Sequence, residues 1–285
     1  MTITTTELDV EDIRRVVRTA LAEDLRLGPD VTTEATVPAD ARVTARLTPR
    51  RDGTLAGLPV VDAVLAEVIG DAGYELSPAA VDGGRIAAGT PVAGIAAPTR
   101  GLLTAERTLL NLVGHLSGVA TATAAWVDAV RGTGCAIRDT RKTLPGLRAL
   151  EKYAVRCGGG VNHRLGLGDA FLVKDNHVAA AGSIAAAVAA VRAHAAELSC
   201  EVEVDSLEQL DQAVALGVEL VLLDNMTVEQ CAEAVRRVAG TGTRLEVSGG
   251  LTLDRARAYA ETGVDYLSVG ALTHSAPALD IGLDL

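Results

Sequence analysis

Aromatic residues are nearly absent from this sequence. Its 285 residues include four Tyr, one Trp and one Phe. So few rings offer little surface on which the bases of single-stranded nucleic acid could stack. The formal net charge of −11 also disfavours nucleic-acid binding, which needs a basic surface. We therefore expect no nucleic-acid partner and a core of aliphatic side chains, because hydrophobic residues still make up 48% of the chain.

Paired cysteines and metal-binding histidine motifs are also missing. The four cysteines lie far apart, and no C-x-x-C or H-E-x-x-H pattern occurs. These absences exclude a zinc ribbon, a redox-active cysteine pair and a zincin-type zinc site. We predict free thiols in a reducing cytoplasm.

No segment looks like a targeting or membrane-spanning sequence. The first twelve residues lack the basic and apolar regions of a signal peptide. Residues 108–127 contain no charged side chain, but glycine, serine, asparagine and histidine interrupt the apolar run. We interpret this run as a buried helix, and we expect a cytoplasmic protein with no membrane partner.

The first part of the chain has the pattern of a mixed α+β domain. Helical spacing of apolar residues alternates with short strand-like runs separated by glycine and proline. We predict an N-terminal α+β sandwich domain over residues 1–115, to which the tail 275–285 could return. The expected elements are a helix over 10–23, a strand over 42–47, a helix over 58–69, short antiparallel strands within 74–104 and a helix over 104–130.

After residue 135, six short apolar runs each end in polar residues and precede a helical stretch. The successive intervals from Glu203 to Asp224, on to Ser248 and on to Ser268 are 21, 24 and 20 residues. Each interval fits one βα unit. Six strands in about 150 residues are too few for a closed eight-stranded barrel of about 250 residues. We therefore predict an open, incomplete parallel α/β barrel over residues 116–274, with a doubly wound sheet as the alternative.

The carboxyl ends of these strands are rich in cations. The segment from Arg131 to Lys174 holds nine Lys or Arg and three acids, a net charge of +6 within an acidic protein. Arginine binds carboxylates and phosphates through two parallel hydrogen bonds. The segment predicts a site for a planar dianion or a phosphate-rich small molecule. Its candidate residues are Thr140, Arg141, Lys142, His163, Arg164 and Lys174.

The later strand ends add other chemistry. Ser248-Gly249-Gly250 and Ser268-Val269-Gly270 let backbone approach a ligand closely, and the last two loops of a barrel commonly bind phosphate. The carboxylates of Glu203 and Asp224, on neighbouring strands, suit sugar hydroxyls or Mg²⁺. We expect all of these groups at one rim.

Taken in order, these motifs resemble the quinolinate phosphoribosyltransferase family. The resemblance runs along nearly the whole chain. The matching segments are Glu23-Asp24-Leu25, Gly28-Pro29-Asp30-Val31-Thr32-Thr33, Glu106-Arg107-Thr108-Leu109-Leu110-Asn111, Asp139-Thr140-Arg141-Lys142-Thr143, Gly159-Gly160, Asn162-His163-Arg164, Lys174-Asp175-Asn176-His177, Glu203-Val204, Leu223-Asp224-Asn225 and Ser248-Gly249-Gly250.

The resemblance implies a reaction between quinolinate and phosphoribosyl pyrophosphate, with loss of CO₂ and with Mg²⁺ as cofactor, in NAD biosynthesis. It also implies a homodimer with a shared active site, which could assemble further into a hexamer. Quinolinate would be bound by Thr140, Arg141, His163, Arg164, Lys174 and Arg107 of the partner subunit. Phosphoribosyl pyrophosphate would be bound by Lys142, Glu203, Asp224, Ser248, Gly249, Gly250, Ser268 and Gly270. Catalytic roles would fall to Lys142, Lys174, Glu203 and Asp224, with Glu203 and Asp224 toward Mg²⁺.

Three other functions remain open from the sequence. A nicotinate or nicotinamide phosphoribosyltransferase would share the layout but need fewer cations, because its substrate has at most one carboxylate. Lys174 at a strand end could instead form the Schiff base of a barrel aldolase. A non-catalytic anion-binding protein would not explain Glu203 and Asp224 beside a phosphate site.

Overall fold

The fold was analysed on a computed structural model, which describes residues 8–285. The helices are α1 Val10–Asp24, α2 Val31–Thr36, α3 Leu58–Ile69, α4 Thr99–Ala129, α5 Arg148–Cys157, α6 Asp175–Ala181, α7 Ile184–His194, α8 Leu207–Ala215, α9 Val228–Val238, α10 Leu253–Ala260 and α11 Ala271–His274. The strands are β1 Arg42–Pro49, β2 Gly53–Thr54, β3 Glu75–Pro78, β4 Arg85–Ile86, β5 Ala93–Pro98, β6 Ala136–Arg138, β7 Phe171–Val173, β8 Cys200–Val204, β9 Leu220–Asp224, β10 Arg244–Ser248, β11 Tyr266–Ser268 and β12 Ile281–Asp284.

By internal packing, the described residues divide into two compact units. The N-terminal unit comprises residues 8–124, Thr143–Gly159 and Leu272–Leu285, and the barrel unit comprises Ala125–Lys142 and Gly160–Ala271. Both units are discontinuous in sequence. The single boundary between residues 115 and 116 stays a prediction.

The N-terminal unit is built on an antiparallel sheet in the order β12-β1-β5-β3. Helix α1 begins at an N-cap, Asp9, whose side chain accepts the Glu11 N–H, and its buried face is aliphatic. Helix α3 begins after Gly57, with the Asp82 carboxylate accepting the N–H groups of Gly57 and Leu58. The predicted α+β domain is confirmed, including the helix over 58–69.

One boundary in this unit was predicted wrongly. Residues 99–104 were expected among the short strands and turns, but they form the first turns of α4. Pro98 ends β5, and the helix starts immediately after it. Position 101 in these turns favours glycine, because a Cβ there would lie 2.7 Å from the Ile69 side chain. The described helices include none that is both long and apolar enough to cross a bilayer.

The barrel unit contains all six predicted strands in one parallel sheet, ordered β6-β11-β10-β9-β8-β7. The first strand pairs with the last, as in a barrel, but β6 and β7 do not pair with each other. A doubly wound sheet reverses its strand order in the middle, and the order of this sheet does not reverse. The prediction of an open, incomplete barrel is therefore confirmed, with its opening between β6 and β7.

Side-chain alternation gives this sheet two different faces. Residues such as Val204, Leu223 and Val247 are buried, and helices α7–α10 pack against the strands. The side chains at the alternate positions occupy the opposite face, and they include charged residues and the polar residues that end the strands. That polar face carries the predicted rim residues.

Candidate active site

The strand register places the predicted rim residues on one face of the sheet. Ser268 pairs with Arg138, and Ser248 pairs with Asp224, so these four positions form one row across β6, β11, β10 and β9. Glu203 pairs with Leu222, two positions before Asp224. Because side chains alternate along a strand, all five face the same side.

Lys174 extends this row at the end of β7. Its ammonium Nζ lies 3.2 Å from Glu203 Oε2. Its backbone N–H donates to the Nδ1 atom of His177 at 3.0 Å, which ties the residue to the first turn of α6. The side chain of Lys174 is 45% exposed, so a ligand can reach it.

Two arginines near this row form no direct ion pair with the described residues, and the charges of Asp169 and Glu201 only partly offset the lowering of the pKa of Arg164. Arg141 and Arg164 are both half-buried, and burial, followed by the charge of Arg141, lowers the pKa of Arg164. Arg164 Nη1 donates to the Ala170 carbonyl at 3.1 Å, whereas Arg141 makes no hydrogen bond or ion pair with the described residues. The buried Nε atoms of Arg138, Arg141 and Arg164 have no acceptor in the described part of the chain. Unsatisfied buried donors of this kind indicate a missing acceptor.

A buried ionic cluster lies on the same face, and the sequence analysis missed most of it. Glu246 accepts from Arg138 and from the Ser268 hydroxyl. His163 Nε2 lies 2.9 Å from Glu201 Oε2 and 3.8 Å from Glu246 Oε1. Burial raises the pKa of both carboxyl groups. The sequence held a signal for these residues, because side chains alternate along a strand. Glu201 and Glu246 stand two positions before the predicted Glu203 and Ser248, and Arg138 ends its strand, so all three face the same side.

Oxygen and nitrogen atoms of His163, Glu201 and Glu246 are close enough together to ligate a metal ion. A guanidinium already balances one of the two carboxylates of this cluster, because Arg138 pairs with Glu246. The same guanidinium stacks 4.6 Å from the centroid of the Tyr266 ring. The cluster is therefore a protein-internal ion network, and we do not assign a metal to it.

The loop that carries His163 and Arg164 is fastened to β6. Val161 forms a parallel bridge with Arg138, and the fully buried Asp139 accepts from the Asn162 side chain and, at 2.9 Å, from the His163 N–H. Asp139 is the residue that holds this loop in place.

Replacing Asp139 should therefore cost stability. In Asp139→Leu the two donors lose a charged acceptor, and we expect a loss of about 3 kcal/mol in the free energy of unfolding. The melting temperature should fall by about 6–12 °C. Asp139→Asn, which keeps one acceptor oxygen, is the matched control and should lose less than half as much. Equal melting temperatures for Asp139→Leu and the unmodified chain would contradict this role.

The carboxylates of Glu203 and Asp224 fit a divalent cation. Both offer hard oxygen atoms on neighbouring strands and one face, and both are only partly buried. Mg²⁺ is usually bound by one or two carboxylates together with water and substrate phosphates. In this structure Glu203 pairs with Lys174, and Asp224 accepts from the Asn225 side chain at 2.7 Å.

The turn after β10 requires glycine. Gly249 has φ +94°, and a Cβ there would lie 2.2 Å from the Oδ1 atom of Asn225. Asn225 itself has φ +54°, and its N–H donates to the Ser248 carbonyl at 2.9 Å. Gly250 also has a positive φ and is exposed, so this backbone can approach a ligand.

The other predicted residues are placed as follows. Thr140 accepts the Lys142 N–H at 3.0 Å, and Lys142 is exposed. Gly270 follows β11, while the Ser268 hydroxyl donates to Glu246 and leaves only its lone pairs for a phosphate. Arg107 lies on α4 in the N-terminal unit and is exposed.

Part of the basic segment does not belong to the barrel unit. Arg148, Lys152 and Arg156 lie on α5, which packs within the N-terminal unit. Lys152 is fully buried there. The net charge of the segment therefore exaggerated the number of cations at the strand ends, whereas Arg141, Arg164 and Lys174 remain.

An open parallel barrel with uncompensated arginines and two carboxylates at its strand ends defines an enzyme that binds anionic substrates. Sequence profiles for the N-terminal and C-terminal domains of quinolinate phosphoribosyl transferase match residues 30–117 and 119–284. The chain belongs to the quinolinate phosphoribosyltransferase family.

Individual relatives agree with this assignment. The nicotinate-nucleotide pyrophosphorylase (carboxylating) of Mycobacterium leprae is 60% identical over 98% of this chain and 99% of its own. A quinolinate phosphoribosyltransferase (decarboxylating) of Nicotiana tabacum is 34% identical over 96% of this chain and 82% of its own. The solved structure of the nicotinate-nucleotide pyrophosphorylase from Francisella tularensis is 38% identical, with a TM-score of 0.94 over 100% of this chain and 99% of that one.

Proposed function

We propose that this chain transfers the phosphoribosyl group of phosphoribosyl pyrophosphate to quinolinate and removes CO₂. The products are nicotinate mononucleotide, pyrophosphate and CO₂. The observation that carries the proposal is the pair of half-buried arginines, Arg141 and Arg164, whose buried Nε donors have no acceptor in the described part of the chain. A substrate with two adjacent carboxylates supplies the missing negative charge and the missing acceptors.

The first step needs no base. The lone pair of the pyridine nitrogen forms the bond to C1 of the ribose as the bond from C1 to the pyrophosphate oxygen breaks. No proton leaves the nucleophile. Lys142 is suited to neutralise the departing pyrophosphate, and the carboxylates of Glu203 and Asp224 to stabilise positive charge on the sugar.

The second step follows from the charge on the ring. The pyridinium nitrogen draws electrons from the neighbouring carbon, so the bond to the 2-carboxylate breaks and CO₂ leaves. The carbon keeps the electron pair and then takes a proton from solvent water, which leaves hydroxide to be neutralised by the bulk buffer. Arg141, Arg164 and Lys174 hold the carboxylates, and the nearby Thr140 adds a hydroxyl. The barrel unit thus supplies position and charge for both steps.

Mg²⁺ belongs to the proposal as the cation that accompanies the pyrophosphate. Glu203 and Asp224 would hold it together with substrate oxygens, and bound Mg²⁺ would neutralise the leaving group. The 5′-phosphate of the second substrate would lie against the backbone of Ser248, Gly249 and Gly250, with Gly270 beyond. The positive φ angles of both glycines of the β10 turn support this placement.

The active enzyme in this proposal is a homodimer with a shared site, which could assemble further into a hexamer. Arg107 supports the shared site: it is exposed on α4 and makes no hydrogen bond or ion pair with the described residues. In the dimer it would reach the quinolinate carboxylates of the other subunit. We place the enzyme in the cytoplasm, where its four free cysteines would stay reduced.

The reaction is tested by incubating the protein with phosphoribosyl pyrophosphate, Mg²⁺ and either quinolinate or nicotinate. We expect equimolar nicotinate mononucleotide and CO₂ from quinolinate, no product from nicotinate, and no turnover after Mg²⁺ is chelated. Product from nicotinate without CO₂ would overturn the proposal in favour of a salvage transferase. Covalent trapping of Lys174 with borohydride and a carbonyl substrate would favour an aldolase instead.

A further inference from the structure

Arg164 is followed by an irregular segment, residues 165–169, which we call the 165–169 loop and which leads toward β7. Its own packing is slight, because two of its five residues are glycines and Leu167 is 75% exposed. A loop that buries so little apolar surface depends on polar contacts for its conformation. Those contacts also determine where the chain lies on either side of the loop, at Arg164 and at Ala170.

The carboxylate of Asp169 closes the 165–169 loop on itself. Its Oδ2 atom accepts the Leu165 N–H at 2.6 Å, and its Oδ1 atom accepts the Gly166 N–H at 2.8 Å. Burial acts to raise the pKa of Asp169, but these N–H groups outweigh it, so the pKa lies below its usual value. The carboxylate is therefore charged at neutral pH, and hydrogen bonds to a charged acceptor are stronger than those between neutral groups.

The same closure determines where the Arg164 guanidinium lies. Its Nη1 atom donates to the Ala170 carbonyl at 3.1 Å, across the base of the loop. Ala170 directly follows Asp169, so the carboxylate that holds one residue also places the carbonyl of the next. A guanidinium is planar, and one bond to a fixed carbonyl restricts the directions of its other donors. Both Asp169 oxygens accept from the backbone, so Asp169 orients the guanidinium without occupying its donors.

We propose that Asp169 is a positioning residue for quinolinate: it closes the 165–169 loop and thereby holds Arg164 in the orientation that binds a carboxylate. This inference rests on the proposed function, because it concerns a cation that the proposal assigns to the substrate. The charge of Asp169 alone would oppose such a role, since an acidic group near a site for a dianion repels the ligand. A loss of quinolinate binding when this acid is removed would therefore come from geometry and not from charge.

Two substitutions of Asp169 test the inference. Asp169→Ala removes both acceptors, and we expect it to raise the KM for quinolinate about 30- to 100-fold, because displacement of a binding group by about 1 Å has effects of that order. Asp169→Asn keeps one acceptor oxygen and should raise that KM about 3- to 10-fold. Neither variant should change the KM for phosphoribosyl pyrophosphate by more than about twofold. Loss of charge alone predicts the opposite sign, a lower KM for quinolinate in both variants.

A double substitution separates positioning of Arg164 from a general weakening of the fold. In the Arg164→Ala background, Asp169→Ala should lower kcat/KM for quinolinate by less than about twofold, because the group that it positions is already gone. A general weakening would instead lower kcat/KM by the same factor with and without Arg164. Glu197→Ala is the matched control, since it removes an exposed carboxylate of the same unit and should change neither KM.

Two kinetic outcomes would overturn the inference. One is an unchanged or lowered KM for quinolinate in Asp169→Ala, and the other is an equal loss of kcat/KM with and without Arg164. If circular dichroism shows that Asp169→Ala does not fold, Asp169→Asn decides the question, because it keeps the volume of the side chain. An unchanged KM for quinolinate in that variant would then contradict the role of Asp169.

Amide hydrogen exchange tests the loop itself without any turnover. We expect the amides of residues 165–170 to exchange at least about tenfold faster in Asp169→Ala than in the unmodified enzyme, because two of them lose their acceptor. The amides of β8 should keep their rates. Equal exchange of the loop in both proteins would show that the carboxylate does not hold it. Failure of the unmodified enzyme to convert quinolinate would instead refute the proposed function and leave the exchange result valid.

Discussion

Arg141→Ala is expected to raise the KM for quinolinate about 10- to 150-fold while leaving the fold intact. A hydrogen bond to a charged group contributes about 1.5–3 kcal/mol when it is desolvated, which corresponds to that range. Arg141 is half-buried and makes no hydrogen bond or ion pair with the described residues. No hydrogen bond or ion pair of the described structure depends on its charge, so we expect the loss to appear in substrate binding.

The stability of the same variant provides a second readout. A half-buried guanidinium beside Arg164, without a counterion, costs free energy in the folded enzyme. Removing it should leave the melting temperature unchanged or raise it. Phthalate should stabilise the unmodified enzyme by binding the folded state, and should stabilise Arg141→Ala less.

Arg131→Ala is the matched control for these measurements. Arg131 is exposed, lies in the same unit and pairs with Asp128 three residues earlier. Its removal should change neither the KM for quinolinate nor the effect of phthalate. An unfolded Arg141→Ala, seen by circular dichroism, would show that Arg141 has a structural role and that its assignment to the site is wrong.

The barrel strands could be predicted from the sequence because each combines two independent signals. A short apolar run of two to four residues gives the buried strand, and the polar residue that ends it gives the rim. In β9, Leu220–Asp224, both signals are present, and the register then aligns Asp224 with Ser248. Spacing along the chain predicted one βα unit for each step and a parallel sheet, and the six strands lie in one parallel sheet.

Alternation along β8 and β10 could place the carboxylates of the ion network on the rim face, but it could not predict their burial or their partners. In β8 and β10, Glu201 and Glu246 interrupt apolar runs, and a charge there usually indicates a solvent-exposed face. Whether such a carboxylate is exposed depends on Arg138 and His163, which arrive from distant parts of the chain. Only the folded sheet brings these partners within hydrogen-bonding distance. Pairwise contacts of this kind leave no periodic pattern in a single sequence.

Two kinds of charge therefore occur in the same unit. The Arg138–Glu246 and His163–Glu201 pairs bind each other within the protein, although the Nε atom of Arg138 and the Oε1 atom of Glu201 have no partner among the described residues. The buried Nε atoms of Arg141 and Arg164 have no acceptor in the described part of the chain, and we propose that the substrate supplies one. This division lets a dianion bind to a rigid set of cations, because the neighbouring charges need not rearrange.

Mixed dimers give the strongest test of the proposed shared site. Arg107→Ala and Lys174→Ala should each be nearly inactive alone. A dimer with one subunit of each kind has one site with both residues intact and one with neither, if Arg107 acts across the interface. We therefore expect mixed dimers, purified through two different affinity tags, to recover about half of the unmodified activity, since a two-fold symmetric dimer has two equivalent sites.

The control uses two residues of the same unit. Mixed dimers of Arg141→Ala and Lys174→Ala contain no complete site, because both residues lie in the barrel unit of one chain. At a quinolinate concentration well below the KM of Arg141→Ala, they should recover no activity beyond that of their parents. If the Arg107→Ala and Lys174→Ala mixture also stays inactive, or if no mixed species carries both tags, Arg107 does not act in the partner's site. Recovery in the first mixture alone would assign Arg107 to the substrate of the other subunit.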